Sequence, residues 1–216
     1  RMVFKRVQSH GFYLWRIFRR GKNSADQKAI FDLQWQAKHS VNNVAPCIGK
    51  PAVDYTAQES FWHISTNPEP SFHFSQLAYP LLKASGAGIM FISSVAGIVS
   101  LQWWSVYEET KAATNHLTKN LAWEWAKDNI PFNSVAPWFV RTLMVEYLIN
   151  EPELLKKIES KSPFRRVGEP EEVSYIPGCF PLSPCCFLHH WTGYSCWWRI
   201  NCDWLQMGLI NWNSPL

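Results

Sequence analysis

Between Thr56 and Lys83 the chain opens on the start signal TAQES and carries apolar positions at Phe72, Leu77, Leu81 and Leu82, which predicts a helix. Pro68 and Pro70 must break or kink it, because proline lacks the backbone N–H that the helical ladder uses. After Gly86 comes the short apolar run Gly88-Ile-Met-Phe-Ile-Ser-Ser, the pattern of a strand buried on both faces of a parallel sheet. Helical spacing returns from Val106 to Asp128 through Ala112, Leu117, Leu121 and Trp125. Ile130 to Pro137 is again strand-like, and Pro152 to Lys161 is a surface helix with proline in its first turn. Strand, helix, strand in this order predicts an α/β protein with a doubly wound parallel sheet.

Composition changes this picture at the two ends. A chain of 216 residues, 47% hydrophobic and 18% charged, has the length and make-up of one globular domain. Thirteen Trp and six Cys are unusual, and five of each fall after Ser174. The domain is therefore expected over residues 41–174, with divergent, irregular segments at 1–40 and 175–216. A net charge of +4 without large basic clusters argues against a nucleic-acid partner, and the run Arg16, Arg19, Arg20, Lys22 reads as a solvated segment. No apolar stretch of about eighteen residues predicts a membrane span, and no secretory signal is expected. A cytoplasmic protein follows as the expectation. The start at Arg1 rather than Met suggests a fragment or a misdrawn gene model.

Candidate chemistry lies in Tyr107-Glu-Glu-Thr-Lys111, with Ser94 13 residues and Asn67 40 residues upstream of the tyrosine. A helix brings Tyr107 and Lys111 onto one face, as it does any pair four apart. The surrounding text, FISSVAGIVSLQWWSVYEETKAATNHLTKNLAWEWAKDNIPFNSVAPWFVRT, resembles that of plant tropinone-reductase-like members of the short-chain dehydrogenase/reductase family. The resemblance runs from about Val41 to Ser174. It implies a partial Rossmann-like fold lacking the first strands, NADP(H) as cofactor, a small hydrophobic or cyclic ketone as substrate, and a homo-oligomer.

Reducing a ketone requires a hydride for the carbonyl carbon and a proton for its oxygen. Tyr107 is the candidate acid, and a productive site must bring its phenol down from a pKa of about 10 toward about 7. Lys111 supplies positive charge that favours the phenolate, and Ser94 hydrogen-bonds the substrate oxygen. The resemblance adds that Lys111 holds the nicotinamide ribose, that Asn67 completes a proton relay, and that Asn42, Pro137 and Thr142 contact cofactor. For Ser94 and Asn67 the residue types alone equally fit a capping serine and a surface asparagine. Trp103, Trp104 and Phe139 fit either a substrate pocket or core, and Glu108 and Glu109 are expected to face solvent.

Two departures bear on cofactor binding. The family's NNAG-like turn carries Ala45 in place of Gly, and the forty residues before Val41 hold only Gly11 and Gly21, with no glycine-rich turn to cradle a diphosphate. Reading codons for Ile176 to Tyr194 one base later gives SLVAFLCLPAASYITGQV, close to the family's last helix and strand. The same operation on Leu33 to Ser40 gives FNGKLNIL. Residues 33–40 and about 175–216 are therefore expected to be frameshifted, and the chain as written to have impaired or no activity, surviving at most as an interaction protein. Cys185, Cys186, His189, His190, Cys196 and Cys202 do not have the spacing of a zinc site, so no metal is expected.

Overall fold

The predicted helix forms in two pieces, broken as expected at the first of its prolines, with Asn67 at the junction. The computed structural model describes residues 7–9, 12–14, 39–162, 164–174, 187–191 and 195–199, the strands at either end in backbone only. Helix α1 (Ala57–Thr66) starts on a capping box in which Thr56 and Glu59 satisfy each other's backbone N–H groups. Asn67 has φ −94° and ψ −78°, and Pro68 opens α2 (Pro68–Ser85), where its missing N–H costs nothing. Gly86, at φ 66°, ends α2 in the left-handed conformation and returns its N–H to the Leu82 carbonyl.

The predicted parallel sheet is present. Its strands are β1 (Val7–Ser9), β2 (Phe12–Leu14), β3 (His39–Asn42), β4 (Gly88–Ile92), β5 (Phe132–Pro137), β6 (Phe187–Trp191) and β7 (Ser195–Arg199). They lie side by side in chain order, parallel from β2 to β6 and antiparallel at both edges. No reversal of strand order occurs among the described strands, so this sheet is one half of a doubly wound arrangement. The segments expected to be irregular each supply two short strands at an edge; β2 meets β3 through the single pair Leu14↔Val41. The remaining residues of 1–38 and 175–216, including Gly11, Gly21, Cys185, Cys186 and Cys202, lie outside the described residues. Among the described residues no group of His, Cys, Asp and Glu could hold a metal ion.

Alternation along β4 sends its side chains to two clusters. Ile89 and Phe91 join Phe132 of β5 against Phe74, Ala78 and Leu82 of α2 and against Leu121, Ala122 and Trp125 at the end of α3 (Ser105–Glu124). Met90 packs with Val41 and Val135 on the opposite face. Asp128, in the turn after α3, accepts a hydrogen bond from Tyr79 at 2.7 Å and pairs with Lys83 at 2.8 Å, tying α2 to α3. Beyond β5 come α4 (Glu146–Ile149), α5 (Pro152–Ser160) and α6 (Pro170–Ser174); α4 and α5 bury Leu148, Ile149 and Ile158 in a third cluster beside Trp104, Trp138 and Phe139. No helix among the described residues is long and apolar enough to cross a membrane.

Candidate active site

The buried face of α3 is mostly polar: Tyr107, Thr110, Lys111, Thr114, Asn115 and Thr118 precede Leu121 and Ala122. Three threonines make this tolerable by returning their hydroxyls to the helix itself. Thr110 donates to the Tyr107 carbonyl at 2.8 Å, Thr114 to Thr110 at 3.0 Å and Thr118 to Thr114 at 2.8 Å. The small side chains let the turn Val95–Gly97 approach closely. A Cβ at Gly97 would stand 2.5 Å from the Lys111 carbonyl carbon and 2.7 Å from the Ala112 nitrogen, so the two backbones touch. Gly97→Ala is expected to cost about 2 kcal/mol by overpacking and to shift Ser94 away from α3. Urea unfolding of the variant checks it, and an unchanged midpoint would contradict the contact.

Ser94 follows the C-terminal end of β4 and does two things. Its Oγ accepts the Ala96 N–H at 3.1 Å, capping the turn, and the side chain lies close enough to the Tyr107 phenol to oppose the rise in its pKa. The capping role of Ser94 is thus present, on a side chain that also neighbours Tyr107. Lys111, 4% exposed, donates from Nζ to the Ile92 carbonyl at 2.8 Å and lies 5.5 Å from the Tyr107 ring centroid. Ser93 donates to the Lys111 carbonyl at 3.3 Å from the other side. Asn67 is buried, not on the surface. Its Nδ2 donates to Thr110 Oγ1 at 2.9 Å and to the Pro46 carbonyl at 3.3 Å, so the helix break reaches α3 one residue before Lys111.

Asn42 and Pro137 end β3 and β5 at the same sheet edge from which Ser94 follows β4, Asn42 opposite Phe91 and Pro137 two residues beyond the partner of Ile92. Ligands of open α/β sheets bind at that edge. Two buried polar atoms there lack a protein partner, Asn42 Nδ2 and Asn67 Oδ1. Such atoms mark positions where a ligand or water completes the hydrogen bonding. The nicotinamide end of a dinucleotide thus finds suitable groups. Thr142 stands apart with an exposed side chain, its carbonyl accepting the Val145 N–H at 3.1 Å.

The electrostatics differ from the sequence expectation. Burial pushes the Tyr107 phenol well above its ordinary value, an effect increased by the thiolate that Cys47 becomes at high pH and opposed by the neighbouring Ser94 side chain. Burial lowers Lys111 to about 8, with Cys47 opposing. The expected pull of Lys111 on the phenol does not overcome burial: its ammonium lies over the ring face, 5.5 Å from the centroid, and donates to the Ile92 carbonyl. Glu108 also corrects the reading: its carboxylate accepts the Leu101 N–H at 2.5 Å and burial raises its pKa, whereas Glu109 is exposed.

Sequence reasoning missed the strap after β3. Cys47 lies within electrostatic reach of Tyr107, Lys111, Tyr55 and Tyr147, and burial holds its thiol at about 11, neutral at physiological pH. His63, fully buried, accepts the Ile48 N–H at 3.1 Å through Nε2 while Nδ1 donates to the Glu59 carbonyl at 2.8 Å, and Tyr55 donates to the Ile48 carbonyl. A lone cysteine and a lone histidine carry no pattern that would have marked them.

Residues 33–177 match the family model described as enoyl-(acyl carrier protein) reductase. A tropinone reductase homolog from Arabidopsis thaliana is 52% identical over 146 residues, which are 66% of this chain and 55% of that protein. A second homolog from the same plant, designated chloroplastic, is 52% identical over 146 residues, 66% of this chain and 45% of its own. The chain spans about half the length of the curated relatives it matches. Among solved structures, a 7α-hydroxysteroid dehydrogenase complexed with NADH and 7-oxo-glycochenodeoxycholic acid superposes with TM-score 0.69 at 26% identity, covering 80% of this chain and 71% of that one. The RhlG/NADP complex from Pseudomonas aeruginosa gives 0.68 at 24% identity, covering 77% and 69%, and shares the fold.

Proposed function

This chain belongs to the short-chain dehydrogenase/reductase family, as a tropinone-reductase-like member, and from that membership we propose that it reduces a small hydrophobic or cyclic ketone to an alcohol with NADP(H). The observation that carries the reading is the meeting of Ser94, Tyr107 and Lys111 at the C-terminal edge of the sheet. NADP(H), when bound, supplies the hydride. Asn42, Lys111, Pro137 and Thr142 are the residues assigned to hold its nicotinamide end. Ser94 Oγ orients the carbonyl oxygen, and Tyr107, which keeps its proton at neutral pH, delivers it as the oxygen gains negative charge. Lys111 stabilises the tyrosinate left behind, and Asn67 fixes the turn of α3 that carries both. Association into a homo-oligomer and a cytoplasmic location complete the proposal.

A pH profile follows from Lys111. Its charge is lost as pH rises through about 8, so kcat/KM is expected to fall about tenfold per pH unit above that value. Following NADPH oxidation with a panel of cyclic and aliphatic ketones across pH tests both points. Turnover that declines above about pH 8 supports the reading; no turnover with either NADPH or NADH sinks it.

A second reading has an observation of its own. The first forty residues contain only Gly11 and Gly21, so no glycine-rich turn is available in them for the diphosphate. Under this reading residues 33–40 and about 175–216 are frameshifted, the chain binds no cofactor, and the apolar side chains exposed on α1 and α2, Phe61, Trp62, Ile64 and Phe72, serve association alone. Sequencing the transcript across these segments and titrating the purified chain with NADPH separate the two.

A further inference from the structure

Asn115 stands one turn beyond Lys111 on α3, as Lys111 stands one turn beyond Tyr107, so the three share one stripe of the helix. All three are buried. Asn115 Nδ2 donates to the Gly97 carbonyl at 3.1 Å. Its Oδ1 has no partner among the described residues, so the amide serves a single bond, the one to Gly97.

That bond completes the second of two fastenings on one short segment. At the near end the Ser93 N–H donates to the Val135 carbonyl of β5 at 2.7 Å, and the Ser93 hydroxyl donates to the Lys111 carbonyl at 3.3 Å. At the far end Gly97 sits backbone to backbone on Lys111 and Ala112. Ser94 lies between the two. Its carbonyl accepts the Gly97 N–H at 3.0 Å, and its Oγ accepts the Ala96 N–H at 3.1 Å. A displacement of Gly97 is therefore passed to both the backbone and the side chain of Ser94. The near end is fixed to the sheet, whereas the far end runs on into Ile98 and Val99, both exposed.

We propose that Asn115 is a positioning residue: by holding the Gly97 carbonyl against α3 it keeps the Ser94 hydroxyl in place for the substrate oxygen. This role rests on the ketone-reductase reading above. Without the amide the Gly97 carbonyl loses its donor and turns toward water, because a carbonyl left unpaired beside the core is costly. The turn then carries Ser94 away from α3.

The test is a double-mutant cycle on the full 216-residue chain: Asn115→Leu, Ser94→Ala and the two together, assayed with cyclohexanone and NADPH. Leucine keeps a similar volume and favours the helix but has no donor. Asn115→Leu is expected to lower kcat about tenfold with the NADPH dissociation constant unchanged, and Ser94→Ala to lower it about 100-fold. In the Ser94→Ala background, Asn115→Leu is expected to change kcat by less than about twofold. A merely structural asparagine would lower activity by the same factor in both backgrounds. Amide hydrogen exchange is the second readout and needs no turnover. Exchange at Ala96, Gly97 and Ile98 is expected to quicken about tenfold in Asn115→Leu, with β4 and β5 unchanged. Activity losses that multiply, or exchange that stays as in the parent or quickens throughout, overturn the proposal. Asn115→Ala decides both points should the leucine variant not fold. If no form turns over but exchange changes as stated, the reductase reading fails while the hold on Ser94 stands.

Discussion

Lys111→Met is expected to raise the stability of the protein by about 3 kcal/mol at neutral pH and to reduce ketone reduction by about 100-fold or more. The amine is buried, with its pKa brought from 10.5 to about 8 by desolvation. Below about 8 the side chain is charged in folded and unfolded chains alike, and folding bears the full cost of burying that charge. Between about 8 and 10.5 the unfolded chain binds the proton that the folded one has released, so stability rises with pH across that window. Methionine fills a similar volume without charge, so the variant is more stable below the window and lacks the rise within it. Urea unfolding at pH values on both sides of 8 measures this. Equal pH slopes for variant and parent would mean that Lys111 is not buried as described.

Phe132→Ala is expected to cost about 4 kcal/mol, the scale found when a buried aromatic leaves a cavity. Phe132 is fully buried at the start of β5, with ring centroids 6.1 Å from Phe91 and 5.2 Å from Trp125. It links the sheet to both helices of the first cluster, and neither α2 nor α3 can close over the gap, because Tyr79, Lys83 and Asp128 tie them together. For a chain of this length the melting temperature is expected to fall by roughly 10 °C. A drop of only two or three degrees would show that the cluster rearranges freely.

The elements legible in the sequence are those written by local chemistry. The TAQES capping box, the proline that ends α1, the glycine that ends α2 and the apolar run of β4 each follow from one or two residues and their backbone preferences. Tyr107, Lys111, Ser94 and Asn67 were singled out by their spacing and the text around them, and the fold joins Asn67 to α3 through Thr110. What stayed hidden depends on packing between distant segments. Nothing local marks Cys47 as a neighbour of Tyr107, His63 as the support of the strap, or Asn115 as the partner of Gly97. The direction of the Tyr107 shift was misjudged for the same reason. Spacing sets Lys111 one turn away, but only the fold reveals that its ammonium turns to Ile92 and that burial outweighs attraction. Glu108, expected in solvent, is held by the Leu101 N–H in a loop whose path no periodicity describes.

The most direct measurement is the fate of hydrogen in the product. The purified chain is incubated with cyclohexanone and NADPH bearing deuterium at the transferring carbon, beside a Tyr107→Phe variant, and the alcohol is examined by NMR. Deuterated cyclohexanol from the parent chain, with at least about 100-fold less from the variant, is the predicted result. No deuterated alcohol from the parent, or equal amounts from both, would contradict the assignment of this site to ketone reduction.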